Sequence, residues 1–186
     1  MTENDYLEAE SSGDVKHEYM GGHVVAMAGA SKNHERIARN MIIALTLGLK
    51  QRGSSCKVFG SDIKVKTADN YFYPDGMVVC DDSTDSDYFS EAPVMLIEVL
   101  SKSTRRMDQS TKRLAYQNIP TLAEYVLIEQ DLAEVEVCTR HRGWRSYKYF
   151  PGETITFESI GVTLLVEALY EGVDSHEVVL NLRNKT

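Results

Sequence analysis

The chain has 186 residues, with 20 basic and 28 acidic side chains giving a formal net charge of −8, and it is 42% hydrophobic and 26% charged. That balance fits one soluble domain over residues 1–186. It excludes a disordered chain, a collagen-like repeat, a disulfide-dense scaffold and indiscriminate coating of polyanions.

In chain order, about residues 3–20 read as a short polar helix stopped by Gly21-Gly22, and His23–Met27 as a strand. No basic start leads into an apolar core, so the beginning does not read as a signal peptide. Ser31 to Asn33 offer capping side chains, and Ile37, Met41, Ile42, Leu45 and Leu49 keep helical spacing over about 33–51. Short β-type segments follow at Lys57–Phe59, Asp62–Lys66 and Tyr71–Cys80, the last interrupted by Pro74-Asp75-Gly76. Val94–Leu100 is an almost continuous apolar run, as expected of a strand covered on both faces. A helix over about 106–118, a central strand at Glu124–Glu129 and a hairpin of Val135–Thr139 with Trp144–Phe150 come next. The tail from Ile160 holds a strand-like segment and a short helix near Leu169. The end beyond Ser175 reads as loosely held. The order α-β-α-β-β-β-α-β-β-β implies a mixed sheet with helices on its faces. No apolar run is long enough to span a bilayer. Cys56, Cys80 and Cys138 are an odd number without CxxC spacing, and they read as buried reduced thiols of a cytoplasmic protein.

Two features carry chemistry. Glu98 stands inside the apolar run, where an unpaired charge costs several kcal/mol, roughly. It alternates with Leu96 and Leu100, so it faces their side of the sheet. Asp75 follows a proline at a break in its strand and can aim at the same point. Two convergent carboxylates suit a hard divalent cation, and a nearby lysine would stabilise developing charge or help deprotonate water. A buried ion pair of Glu98 with Lys or Arg is the competing reading. The second feature is charge distribution. Residues 102–113 hold Lys102, Arg105, Arg106, Lys112 and Arg113 against Asp108. Residues 140–148 hold Arg140, Arg142, Arg145 and Lys148 against no acid. Together they carry +8, leaving −16 on the rest. Both segments are candidates for phosphate contacts.

Four strings resemble the PD-(D/E)xK, or restriction-endonuclease-like, nuclease superfamily, and more closely its Uma-two family. They are Glu18 with Tyr19-Met20-Gly21-Gly22-His23-Val24; Tyr73-Pro74-Asp75; Leu96-Ile97-Glu98-Val99-Leu100-Ser101-Lys102-Ser103-Thr104-Arg105; and Asp108 through Lys112 and Tyr116 to Pro120, Glu124, Tyr125 and Val126. The resemblance implies an α/β (mixed α+β) fold whose restriction-endonuclease-like core is a central mixed β-sheet flanked by helices. It implies a metal-dependent endonuclease acting on phosphodiester bonds, with DNA ahead of RNA as substrate and Mg²⁺ or Mn²⁺ as cofactor.

Asp75 and Glu98 match the two acidic motif positions. The superfamily often places lysine two residues after the second acid. Here that position is Leu100, and Lys112 on the following helix matches the Uma-two pattern instead, with Lys102 as competitor. The catalytic set so implied is Asp75, Glu98 and Lys112. The metal set is Asp75, Glu98 and Glu18, the last as an early helical glutamate that could equally be solvated. His34, at the start of the second helix, is expected at the metal or on a phosphate. Lys102, Arg105 and Arg106 are expected on nucleic acid. Tyr116 reads as a core residue with a bonded hydroxyl. Family habit adds a homodimer, with no membrane partner. The alternative is a non-catalytic nucleic-acid or protein binding module that keeps a vestigial metal site.

Overall fold

Thr2 accepts the Asp5 N–H and Asp5 accepts the Thr2 N–H, a capping box that opens helix α1 (Glu3–Ser12). In this computed structural model, which describes every residue except 82, 83, 85 and 184–186, α1 stops at Ser12. The expected helix over 3–20 therefore divides. Its second half is strand β1 (His17–Met20), paired antiparallel with β2 (His23–Ala26) across Gly21-Gly22, which take φ of 52° and 97°. Tertiary packing decides the change. Tyr19 buries its ring against Tyr6 of α1 and Tyr71, in a cluster that a continuous helix could not reach.

Helix α2 (Lys32–Gln51) starts where Ser31 accepts the His34 N–H. Its buried stripe is Ile37, Met41, Leu45 and Leu49, while Ile42, the fifth residue of the predicted spacing, is half-buried. An added Cβ at Gly48 would lie 2.6 Å from Val162 Cγ1, so the helix seats closely there only because residue 48 has no side chain.

Among the described residues the strands β3 (Lys57–Gly60), β6 (Gly76–Val79), β8 (Pro93–Leu100), β9 (Glu124–Glu129), β10 (Val135–Thr139) and β11 (Ser146–Tyr149) form a six-stranded sheet in the order β11-β10-β9-β8-β6-β3. Strands β8 and β9 run parallel, and the other pairs antiparallel, so the sheet is mixed. Strands β4 (Lys64–Thr67), β5 (Asn70–Phe72) and β7 (Phe89–Ser90) join β1 and β2 in a five-stranded sheet. One face of the six-stranded sheet, with Ile97, Val99 and Val126, packs on α2 and on the hairpin of β12 (Thr154–Phe157) and β13 (Val162–Leu165). The other face, with Leu96, Leu100 and Leu127, packs under Tyr116 and Ile119.

The helix expected over 106–118 is present in three parts. They are α3 (Arg105–Met107), a π-helical segment over Asp108–Lys112, and α4 (Arg113–Gln117). Strand β12 was not expected. After α5 (Val166–Leu169) comes α6 (His176–Arg183), which also departs from the loose tail expected. Val178 is fully buried in the main core and anchors it.

The thiols need a second correction. Cys56 and Cys80 are joined in a disulfide, and only Cys138 remains as a buried free thiol. The two cysteines stand one residue beyond the Lys57↔Val79 pair, so strand register brings them together. The disulfide removes the thiol-based ground for expecting a reducing compartment. Among the described residues no helix is long and apolar enough to cross a membrane.

Candidate active site

The Gly76↔Ile97 pairing of β6 with β8 sets Asp75 across from Glu98 at the end of the strand pair. Asp75 precedes the first residue of β6, where Pro74 breaks the strand run. Its carboxylate is fixed from two sides. Oδ2 accepts the Val99 N–H at 2.7 Å, and Oδ1 lies 2.9 Å from His34 Nε2. Glu98 shares its face of β8 with Leu96 and Leu100, as its alternation predicts. Its Oε1 accepts from the Tyr116 hydroxyl at 2.9 Å and from Lys112 Nζ at 3.1 Å.

The π-helical turn places Lys112 and Asp108 inward, while residues 109–111 are exposed. The Lys112 ammonium sits among three carboxylates: Glu18 at 2.8 Å, Glu98 at 3.1 Å and Asp108 at 3.4 Å. All four side chains are deeply buried, with relative exposures of 6% for Glu18, 3% for Glu98, 1% for Asp108 and 4% for Lys112. Glu18 lies on β1 and not on a helix. Its Oε1 also accepts the Tyr73 N–H at 3.1 Å, which ties β1 to the Tyr-Pro-Asp segment.

These contacts explain the protonation preferences. Burial pushes Glu98 well above the ordinary carboxylate range; Lys112 opposes this, and Asp108, Asp75 and Glu18 reinforce it. Burial likewise raises Asp108, against the pull of Lys112. For Lys112 burial acts downward, but Glu98, Glu18 and Asp108 outweigh it and hold the ammonium above the ordinary lysine range. His34 is shifted down by burial and up, more strongly in sum, by Asp75 and the other acids around it.

These groups form the floor of a cleft of about 700 Å³. One wall is the segment 25–31, from the last two residues of β2 to the start of α2. The other is the loop 101–104 with Met107, and Gln130 closes one side. Lys102 stands exposed on the second wall.

The remaining expected contacts fall elsewhere. The Arg105 guanidinium is bonded to Glu129. Arg106 is exposed on α3, outside the residues lining the cleft. The arginines of the second basic segment lie at the opposite end of the sheet, because Thr139 pairs with Glu124 at the start of β9 while Gln130 follows its end; Lys148 instead stands level with Glu98, through Glu136 and Leu127, three strands away. Six strand residues separate the two ends, roughly 20 Å. Much of that segment's charge is occupied. Arg140 caps the carbonyls of Gln117, Ile119 and Leu122 and lies over the Trp144 ring. Lys148 pairs with Glu134, and Arg142 with Glu158.

Tyr116 takes the place its sequence reading gave it, fully buried with a bonded hydroxyl. Two relationships had no sequence reading. One is Asp108 as a partner of Lys112, although the i,i+4 spacing of an acid and a lysine was visible. The other is the His34–Asp75 bond, across 41 residues.

The donor chemistry fits a divalent cation. Four carboxylates, Glu18, Asp75, Glu98 and Asp108, gather around Lys112 and His34. Asp108 Oδ1 is buried with no hydrogen bond, facing the Lys112 ammonium at 3.4 Å. Hard oxygens in negative excess are what Mg²⁺ and Mn²⁺ take. Among the described residues no three Asp, Glu, His or Cys side chains form a ready-made ligand set. Each of the three expected ligands already has two partners: Glu18 has Lys112 and the Tyr73 N–H, Asp75 has His34 and the Val99 N–H, and Glu98 has Lys112 and Tyr116.

The chain is similar over most of its length to two proteins of Synechocystis sp. strain PCC 6803. "Uncharacterized protein slr1290" is 30% identical over 178 residues, covering 93% of each chain. "Uncharacterized protein sll1609" is 35% identical over 141 residues, covering 73% of this chain and 78% of its own. The fold is shared with a crystal structure from Anabaena variabilis described as "a putative nuclease belonging to DUF820". The TM-score is 0.75 at 16% identity, over 92% of this chain and 98% of that one. The model of the family Uma2, described as "Putative restriction endonuclease", matches residues 4–167, and the chain belongs to that family.

Proposed function

We propose that this protein is a metal-dependent endonuclease that hydrolyses phosphodiester bonds in DNA. The observation that supports this most is the facing pair Asp75 and Glu98 on the cleft floor, with the Lys112 ammonium 3.1 Å from Glu98. In this reading Asp75 and Glu98 hold Mg²⁺ or Mn²⁺. Such an ion, when bound, polarises a phosphoryl oxygen and lowers the pKa of its water.

The chain's own residues do the rest. His34 and the Val99 N–H fix the two oxygens of Asp75, and Tyr116 with Lys112 fixes Glu98. Lys112 stays protonated among its carboxylates, so of the two roles open to a site lysine it takes charge stabilisation and not proton removal. Glu18 and Asp108 hold it in place. Lys102 on the wall meets a flanking phosphate, and Arg106 extends that contact outward. Arg105, tied to Glu129, braces the loop.

The test is cleavage of plasmid DNA, oligodeoxynucleotides and RNA by purified protein with Mg²⁺ or Mn²⁺. DNA cleavage abolished by Asp75→Ala and by Glu98→Gln is the expected result. Cleavage unchanged in both variants overturns the assignment. Light scattering on the same sample tests the proposed homodimer, which a mass of 20.9 kDa would overturn.

A second reading is favoured by one observation: Lys112 already compensates Glu98 and Glu18. A nuclease-like fold whose lysine serves only as an internal counter-ion would be a binding module. In that case Mn²⁺ neither binds nor raises the melting temperature.

A further inference from the structure

We infer that the cleft takes one unpaired DNA strand and not an intact duplex. This rests on the nuclease reading and names the form of its substrate.

Depth is the first ground. Glu98, Asp108, Lys112 and Glu18 each expose 6% or less of their surface, at the bottom of a cleft of about 700 Å³. That volume is of the size that holds a drug-sized ligand, about 300–1,000 Å³. It suits a phosphodiester with its neighbouring sugar and base. A duplex offers its phosphates on a wide convex surface and cannot lower one to this floor with its strands paired. A single strand can thread between the walls.

Wall chemistry is the second ground. Residues 25–31 read Val-Ala-Met-Ala-Gly-Ala-Ser, and all but Met27 are exposed. This wall is anchored at both ends. The Met27 N–H donates to the Lys16 carbonyl at 2.9 Å, and the Ser31 hydroxyl to Gln130 at 3.1 Å. Small apolar side chains present no hydrogen-bonding code. They leave room for an unstacked base and accept its face whatever its identity. An intact duplex exposes no base faces to such a wall.

Charge is the third ground. The cations lining the cleft are Lys16, Lys102 and Lys112, with His34 bound to Asp75. Lys112 is neutralised by its carboxylates, and Lys16 is paired with Asp62. Lys102 remains for a phosphate inside the cleft, with Arg106 outside it, which gives little electrostatic hold on a duplex backbone. The arginines that could widen the footprint lie at the far end of the sheet, and Lys148, level with Glu98 on the edge strand, is paired with Glu134.

The experiment compares a fluorescent oligo-dT, a fully paired duplex of equal length, a covalently closed duplex plasmid and a duplex with an unpaired bubble. Binding is followed by anisotropy in EDTA and cleavage with Mn²⁺. Expected are oligo-dT binding at least tenfold tighter than a duplex of equal length, cuts confined to the bubble, and a log–log salt slope shallower than about −2. A Cβ at Gly29 meets nothing within 4 Å, so Gly29→Leu adds bulk to the wall without disturbing the fold. It should cut oligo-dT binding tenfold or more at an unchanged melting temperature. Equal binding of duplex and single strand, or a plasmid nicked as fast as oligo-dT is cut, overturns the inference and leaves the nuclease reading intact. Tight oligo-dT binding without cleavage of any substrate overturns the nuclease reading while supporting strand selectivity.

Discussion

His34 Nε2 lies 2.9 Å from Asp75 Oδ1, and this bond joins the first turn of α2 to the break before β6. Helix and sheet thereby aim one carboxylate together with the Val99 N–H. His34→Ala should weaken Mn²⁺ binding about 10–100-fold, the usual effect of removing a group that orients a ligand. Titration calorimetry measures it. Unchanged affinity would show that Asp75 is held by Val99 alone or does not bind the ion.

Lys112 and Glu98 form one ion pair with opposite consequences on removal. Lys112→Met strands three buried carboxylates and should cost about 3–5 kcal/mol of stability and lower kcat about 10²–10³-fold. Glu98→Gln leaves Lys112 with Glu18 and Asp108 and relieves a carboxyl that burial disfavours in its charged form. Its melting temperature should equal or exceed wild type while cleavage is lost. Equal destabilisation by both variants would contradict the charge balance described here.

Glu124 supplies a pH test away from the cleft. It is buried on β9, accepts the Glu158 and Ser159 N–H groups, and burial raises its pKa above the ordinary carboxylate range. A raised native pKa means that the native state holds the proton more tightly than the unfolded chain. The stabilising contribution is thus complete below the ordinary range and is lost as pH rises through the native value. Urea unfolding should therefore show wild type losing stability relative to Glu124→Gln from mildly acid pH upward. A constant difference between the two would contradict the shift.

Thiol counting tests the cysteine pairing. Native protein should give no reaction with a thiol reagent, because Cys138 is buried and its pKa is pushed up to about 12. Unfolding without reductant should release one thiol, and unfolding with reductant three. Reduction should lower stability by about 3 kcal/mol, given the 24-residue separation.

Gly48→Ala should destabilise although alanine is the better helix former by about 1 kcal/mol. The methyl would meet Val162 at 2.6 Å, and forcing it in costs about 1–3 kcal/mol. A denaturant midpoint at or above wild type would show that β13 yields easily.

Local signals made much of this legible. Helix α2, strand β8 and strand β9 follow from apolar spacing, and Glu98 stands out as a charge in an apolar run. Asp75 and Lys112 were found through the strings they belong to. Three kinds of information were absent from local spacing. Register across distant strands decides that Cys56 meets Cys80. Aromatic clustering turns the segment around Tyr19 from helix to strand and carries Glu18 with it. The partners of a charge decide its role. Arg105 and Arg140 look like phosphate contacts in sequence, yet they bond Glu129 and three backbone carbonyls in the fold.

The widened turn at Asp108–Lys112 makes the site sensitive to chain length. An α-helix advances about 100° per residue, so deleting one of the exposed residues 109–111 would swing either Asp108 or Lys112 away from the sheet. Chemical changes at those three positions leave the pair facing inward. The Asp-x-x-x-Lys spacing thus works as a ruler, open to substitution and closed to insertion or deletion.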